Sequence, residues 1–233
     1  MYRRSAPYFD EIYHFLDYST AAQQVHGAIQ RLDPPARTLL DVGCGTGRHL
    51  SLLREHYDVE GLELSDELLS AARRRCPDVR FHRGDMRDFD LGVQYDVVTC
   101  LFSAIAYTRS EEMLGAALEN MARHLRPGGV MIVEPWYTPG QYEVGRLTTN
   151  VVDRPDLHII WTYANAIEGR VAIQDIQFVI ATPNGFEHFI ERHELGLFEV
   201  EDYLRAFKRA RVEASFVPAA LFGGGMYAGR KDD

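Results

Sequence analysis

An aspartate and three glycines crowd into Asp41–Gly47 (DVGCGTG), directly behind the apolar run Thr38-Leu39-Leu40, and this stretch limits the fold more than any other. Glycine costs backbone entropy, so such a cluster persists where the chain turns tightly or another group approaches the backbone. Apolar run, glycine loop and the amphipathic segment 47–56 (GRHLSLLREH) read as strand, loop and helix. The alternation continues down the chain. Strand-like runs fall at 38–43, 59–64, 79–84, 95–102 and 129–135, and helical ones at 20–32, 47–56, 65–76 and 110–125. Ser65 and Ser110 stand as N-caps before acidic first turns, and Pro127-Gly128-Gly129 is the stop signal of the last of these helices. With two further strands at 211–217 and 225–229 after a helix at 199–209, the pattern predicts an α/β fold: a doubly wound, mostly parallel seven-stranded sheet.

After Pro139 the texture changes. From Leu147 to Leu195 long β-branched and aromatic stretches are punctuated by Glu168-Gly169 and Thr182-Pro183-Asn184-Gly185. Asn-Gly between alternating runs signals a hairpin, so 140–196 is expected to hold three or four antiparallel strands inserted into the α/β domain. All 233 residues then form one domain, with residues 1–32 as a helical lid. The net charge of −9, with no long basic run, argues against a nucleic-acid partner. Three cysteines without a CxxC suggest neither a disulfide framework nor a zinc site, and no metal is expected. Nothing approaches the roughly 18 apolar residues of a membrane span, and the chain reads as cytoplasmic.

The ligand of the glycine loop follows from spacing and charge. Dinucleotide enzymes use G-x-G-x-x-G, whereas this loop is G-x-G-x-G preceded by Asp41. A carboxylate there repels pyrophosphate but suits the ammonium of an amino-acid moiety, which S-adenosylmethionine has. Glu63 ends the second strand, 20 residues after Gly43, where a carboxylate accepts ribose hydroxyls. Asp85 ends the third, placed to reach the adenine amino group while Met86 packs on the ring. Three acids at three successive strand ends make one crevice.

The stretches LLDVGCGTG, GLELS, GDMRDF and HLRPGGVMIVEPW resemble the class I S-adenosylmethionine-dependent methyltransferases. More narrowly, GDMRDF, VTCLFSAI and VEPW, with the N-terminal aromatics and LFEVEDYLRAF, resemble the N,N-dimethyltransferases of nucleotide-linked 3-amino-deoxysugars, over nearly the whole chain. The resemblance implies that the cofactor is gripped by Gly43, Gly45, Glu63, Leu64, Asp85, Met86, Leu101 and Phe102, with Tyr18 closing over it. It implies that the insertion covers the acceptor, with a homodimer contact as its other candidate role.

Methyl transfer is an in-line displacement that needs alignment and exclusion of water rather than a protein nucleophile. An amine acceptor must be neutral when it attacks, so a nearby group has to orient it and take a proton. Tyr107, just past the fourth strand, and Tyr2 are the catalytic candidates. Trp136 and Tyr137 are candidate walls of the acceptor pocket, Glu134 a candidate acceptor contact, and Arg192, with Arg146 and Arg154, a candidate phosphate contact. The chain departs from the narrower family twice: Tyr107 stands where those enzymes carry a histidine, and Gly223-Gly224-Gly225 replaces a Gly-Arg-Gly. His124, in the last turn of a helix, reads as structural. His188 and His193 lie five apart on an expected strand, on opposite faces, and share no metal. The expected activity is methylation of a small molecule, with nitrogen of a nucleotide-linked aminosugar as the specific acceptor. Alternatives are N- or O-methylation of another metabolite, or cofactor binding without catalysis.

Overall fold

In the computed structural model, which describes residues 2–233, strand β1 (Thr38–Val42) runs through the centre of a seven-stranded sheet. Its alternate side chains point to opposite faces. Leu39 packs with helix α2 (Tyr18–Leu32) and α3 (Arg48–Leu53), while Leu40 and Val42 pack with α5 (Glu111–Arg123). Parallel neighbours are β2 (Asp58–Glu63) and β3 (Arg80–Arg83) on one side, β4 (Tyr95–Cys100) and β5 (Leu125–Val133) on the other. The sheet ends with β12 (Met226–Lys231), antiparallel to β5, and β11 (Val212–Val217), giving the order β11-β12-β5-β4-β1-β2-β3. Helices α4 (Asp66–Arg75) and α6 (Val200–Arg209) complete this layer, and α1 (Phe9–Ile12) precedes it. The doubly wound fold expected from the alternation is thus present, and its strand order reverses between β1 and β4, where such sheets open a crevice.

Both serine caps form: Ser65 and Ser110 accept the N–H groups of Leu68 and Met113 at 3.3 and 3.2 Å. Two of the boundaries that differ from expectation have a local cause. Helix α2 starts at Tyr18 rather than residue 20, because the Asp17 carboxylate accepts the Thr20 N–H at 2.9 Å; the shift buries Tyr18 as the first helical residue. Strand β5 starts at Leu125 rather than 129. Pro127-Gly128-Gly129 lies within it as a register irregularity opposite Tyr95–Val97, with Gly128 at φ +69°.

The region 140–196 is an antiparallel sheet of five strands where three or four were expected: β6 (Leu147–Arg154), β7 (Leu157–Ala164), the short β8 (Ala166–Glu168), β9 (Val171–Thr182) and β10 (Gly185–Gly196). The β9–β10 loop is Pro183-Asn184, since Thr182 pairs with Gly185. One face of this sheet buries Ile159, Trp161, Ile176 and Phe178 together with Ile12 of α1. The N-terminal segment is therefore sandwiched between the insertion and the α/β layer. Among the described residues no helix is long and apolar enough to cross a membrane.

Candidate active site

The glycine loop is tied across to β2: the Gly43 and Cys44 N–H groups both donate to the Leu62 carbonyl, at 2.7 and 3.0 Å. Gly43 sits at φ +74°, and a Cβ there would lie 2.7 Å from the Ala104 methyl, so both backbone and packing require glycine. Gly45, at φ +56°, has nothing within 4 Å of where its Cβ would point. Glu63 fastens this loop. One carboxylate oxygen accepts the Gly45 N–H at 3.0 Å, and the other accepts those of Leu64 and Ser65 at 2.8 and 2.9 Å.

The loop opens onto a cavity of about 470 Å³ at the carboxyl edge of the sheet. Asp41, Gly43, Gly45, Glu63, Leu64, Asp85 and Met86 line one part of it, with Tyr18, Leu101 and Phe102. Tyr2, Tyr107 and Arg192 line it too. Phe102 and Ser103 follow β4 with φ of +53° and +54°, an uncommon backbone for non-glycine residues that turns Phe102 back towards the N-terminal aromatics. Glu134 secures that turn by accepting the Phe102 N–H at 2.6 Å. It does not line the cavity, and its expected role as an acceptor contact gives way to this one.

Charge selects what the cavity takes. Asp41 is buried, accepts the Thr99 hydroxyl at 2.7 Å, and is pushed up to about 7 by burial, with Glu63 adding to the shift. Burial pushes Glu134 to about 8 and also raises Glu63, against the three N–H groups that favour its ionised form. Buried carboxyls clustered this way favour a cationic ligand. The Tyr18 hydroxyl and His49 Nε2, both on the cavity wall, are buried without a hydrogen-bond partner among the described residues, as polar atoms that face a ligand site are. Asp85 is held in a two-point ion pair by Arg87, at 2.9 and 2.6 Å, which keeps its carboxyl below the usual range; the adenine amino group expected there would share that carboxylate.

S-adenosylmethionine, with an ammonium, a sulfonium, ribose hydroxyls and an adenine, fits this donor set. Asp41 and the glycine loop would hold the amino-acid end, Glu63 the ribose, and Asp85 with Met86 the base. Bound, it supplies an electrophilic methyl group. Because Asp41 must ionise to meet an ammonium, binding of S-adenosylhomocysteine is expected to release a proton near neutral pH. Affinity then rises with pH and levels off above about 7. Calorimetry in buffers of differing ionisation enthalpy checks this. Asp41→Asn is expected to abolish the proton release, and its persistence would shift the assignment to another group.

The part of the cavity expected to take the acceptor is aromatic. The Tyr107 hydroxyl lies 2.6 Å from His193 Nδ1, and the Tyr2 hydroxyl 2.8 Å from that of Tyr13. The Tyr2 ring stands edge-on to His193 at 4.7 Å and to Phe9 at 4.9 Å. Burial pushes the Tyr2 and Tyr107 phenols well above their ordinary value, so both are protonated. Trp136 and Tyr137, expected as walls, are not on the cavity. Trp136 fills the cluster of Ala106, Tyr142 and Leu197 behind Tyr107, and Tyr137 is half exposed against it. Arg192 lines the mouth with its guanidinium on Asp175, at 2.7 Å twice. Arg146 and Arg154 instead pair with Glu143 and Glu11, away from the cavity. His124 is structural, with Nε2 accepting the Leu91 N–H at 3.1 Å. Sequence reasoning did not find Arg109, His49 and Arg48 on the cavity, nor His193 behind Tyr107; their partners come from distant elements that no local pattern announces.

A Rossmann-like sheet, a glycine loop clamped by a strand-end glutamate and a buried acidic pocket define an S-adenosylmethionine-dependent methyltransferase. A family model described as a methyltransferase domain matches residues 39–129. The dTDP-4-amino-2,3,4,6-tetradeoxy-D-glucose N,N-dimethyltransferase of Saccharopolyspora spinosa is 40% identical over 91% of this chain and 86% of its own length. The dTDP-3-amino-3,6-dideoxy-alpha-D-glucopyranose N,N-dimethyltransferase of Streptomyces fradiae is 39% identical over 91% and 84%. Among solved structures, Streptomyces venezuelae DesVI superposes with a TM-score of 0.92 at 34% identity, covering 99% of this chain and 100% of that one. The S-adenosylmethionine-bound amino pentose methyltransferase CalS10 of Micromonospora echinaspora gives 0.87 at 34%, covering 99% and 98%. This chain belongs to the family of S-adenosylmethionine-dependent methyltransferases that contains these sugar N-methyltransferases.

Proposed function

We propose that the chain transfers methyl groups to the amino group of a nucleotide-linked amino-deoxysugar, twice, giving an N,N-dimethylamino product. The observation that carries this reading is one cavity joining a cation-seeking cofactor pocket, two protonated tyrosines and two mouth arginines. Arg109 and Arg192 line that mouth, bound to Glu194 at 2.6 Å and Asp175 at 2.7 Å. With no arginine between Gly223 and Gly225, we assign these two, rather than Arg48 or Arg87 of the same lining, to a diphosphate, which each would take in exchange for its carboxylate. Relatives named for 3-amino and for 4-amino sugars both align over most of the chain, so both kinds of acceptor belong in the test.

Tyr107 and Tyr2 orient the amine, which enters neutral after releasing its proton to solvent, and the N-terminal segment excludes water. The test is S-adenosylhomocysteine production with mass analysis on dTDP-linked 3- and 4-aminosugars, the free sugars and simple amines. Methylated nucleotide sugar supports the reading, and turnover confined to acceptors without phosphate overturns it. Tyr107→Phe is expected to lower kcat by about tenfold or more with cofactor affinity unchanged; wild-type turnover would return Tyr107 to a packing role.

A homodimer through the insertion is part of this proposal. Val151, Ile160 and Val179 pair across adjacent strands on the outer face of that sheet, all more than 40% exposed, with Ile190 on the same face. An apolar row of this kind is a docking face. Light scattering should give twice the chain mass, and Ile160→Glu should return it to the monomer; a wild-type monomer overturns the contact.

A further inference from the structure

His193, on β10 opposite Gln174 of β9, brings a polar side chain of the insertion to the acceptor wall. It is 2% exposed, with Nδ1 on the Tyr107 hydroxyl 86 residues away and the Tyr2 ring edge on its imidazole. Its Nε2 is buried and meets no hydrogen-bond partner among the described residues. A buried polar atom without a partner destabilises the fold, so an apolar side chain of similar size would fill this place better if packing were its purpose.

We propose that His193 is a positioning residue for methyl transfer: by accepting the Tyr107 hydroxyl proton at Nδ1, it turns the oxygen lone pairs of Tyr107 into the cavity. The inference rests on reading the acceptor as an amine. A phenolic oxygen has one proton to give and lone pairs with which to accept. With its proton committed to His193, Tyr107 accepts from the substrate, so it binds an N–H of the amine and leaves the nitrogen lone pair free to attack. The opposite polarity, with His193 donating from Nδ1, points the Tyr107 proton at that lone pair and blocks it. The monomethylated amine again has an N–H to give, so the same polarity serves a second transfer. Burial holds His193 down to about 4, against the nearby Glu191 carboxylate, so the imidazole stays neutral and keeps one nitrogen as an acceptor.

The experiment has a spectroscopic and a kinetic arm. In ¹⁵N-histidine-labelled protein, assigned by difference against His193→Asn, the expected tautomer carries its proton on Nε2 with Nδ1 bare. A proton on Nδ1 overturns the proposal, with no acceptor needed for the measurement. Kinetically, His193→Leu is expected to lower kcat on the aminosugar by about tenfold, with S-adenosylhomocysteine affinity within about twofold of wild type. His193→Asn, whose Oδ1 takes the place of Nδ1, should restore most of the rate. Tyr107→Phe/His193→Leu should be no slower than Tyr107→Phe, because His193 acts through Tyr107. Additive losses in the double variant, or wild-type kcat in a folded His193→Leu protein, overturn the role. Failure of the wild-type protein to methylate any aminosugar instead overturns the substrate reading, and the tautomer still decides whether Tyr107 faces the cavity as an acceptor.

Discussion

Replacing Glu63 by alanine is expected to weaken S-adenosylhomocysteine binding by at least about tenfold, or roughly 1.4 kcal/mol, while the protein stays folded. Two losses combine. The ribose loses its acceptor, and the N–H groups of Gly45, Leu64 and Ser65 lose theirs, which frees the glycine loop that should frame the cofactor. Glutamine is expected to rescue little. Both carboxylate oxygens accept backbone N–H groups, so in either orientation the amide NH₂ confronts another donor. Titration calorimetry on Glu63→Ala and Glu63→Gln, with circular dichroism for folding, checks both statements. Wild-type affinity in either variant would remove Glu63 from the cofactor site.

Glu191→Ala is expected to release the N-terminal segment from the acceptor pocket. The Glu191 carboxylate is 8% exposed and accepts the backbone N–H groups of Arg3, Arg4 and Ser5 at 3.0, 2.6 and 3.2 Å, together with the Ser5 hydroxyl. This one side chain of β10 therefore pins the residues that carry Tyr2 to the cavity. Its removal leaves several donors without partners and should destabilise the fold by roughly 2–4 kcal/mol. It should also raise KM for the acceptor by about tenfold, since Tyr2 and the cover proposed to exclude water would be lost together. Glutamine should be tolerated here, unlike at Glu63. The three backbone donors converge on one oxygen, and the amide NH₂ can donate to the Ser5 hydroxyl oxygen in place of accepting from it. Hydrogen exchange over residues 2–8 reports the release directly. Unchanged protection in Glu191→Ala would show that the aromatic packing of Tyr2 and Phe9 holds the segment unaided.

The lining expected to hold the cofactor comes together in one cavity, as the sequence suggests, because its parts lie at fixed offsets within one repeating unit. Gly43, Gly45, Glu63 and Asp85 each end or follow a strand, and parallel strands bring their ends to one edge whatever the helices between them contain. The acceptor half was not legible to the same degree. Tyr107 and Tyr2 were placed from position and resemblance, yet His193, Arg109 and Glu191 reach the site through contacts spanning 85 residues or more. An aromatic pair after a strand, as at Trp136-Tyr137, suggests a pocket wall equally whether it faces the cavity or the packing behind it. Here it is the packing, because Tyr142 and Leu197 close over Trp136.

Sequence by itself determined the doubly wound sheet, the serine-capped helices, the antiparallel insertion and an acidic glycine loop suited to S-adenosylmethionine. Those properties follow from hydrophobic period, capping chemistry and the charge of a few residues, all local in the chain. Tertiary structure decided which side chains meet at the cavity: the Glu191 clamp on residues 3–5, the Tyr107–His193 contact, and the exclusion of Trp136 and Tyr137 from its lining. These depend on how the insertion docks against the N-terminal segment, which is fixed by the burial of Ile12, Trp161 and Phe178 in a shared core and by no pattern within either segment alone.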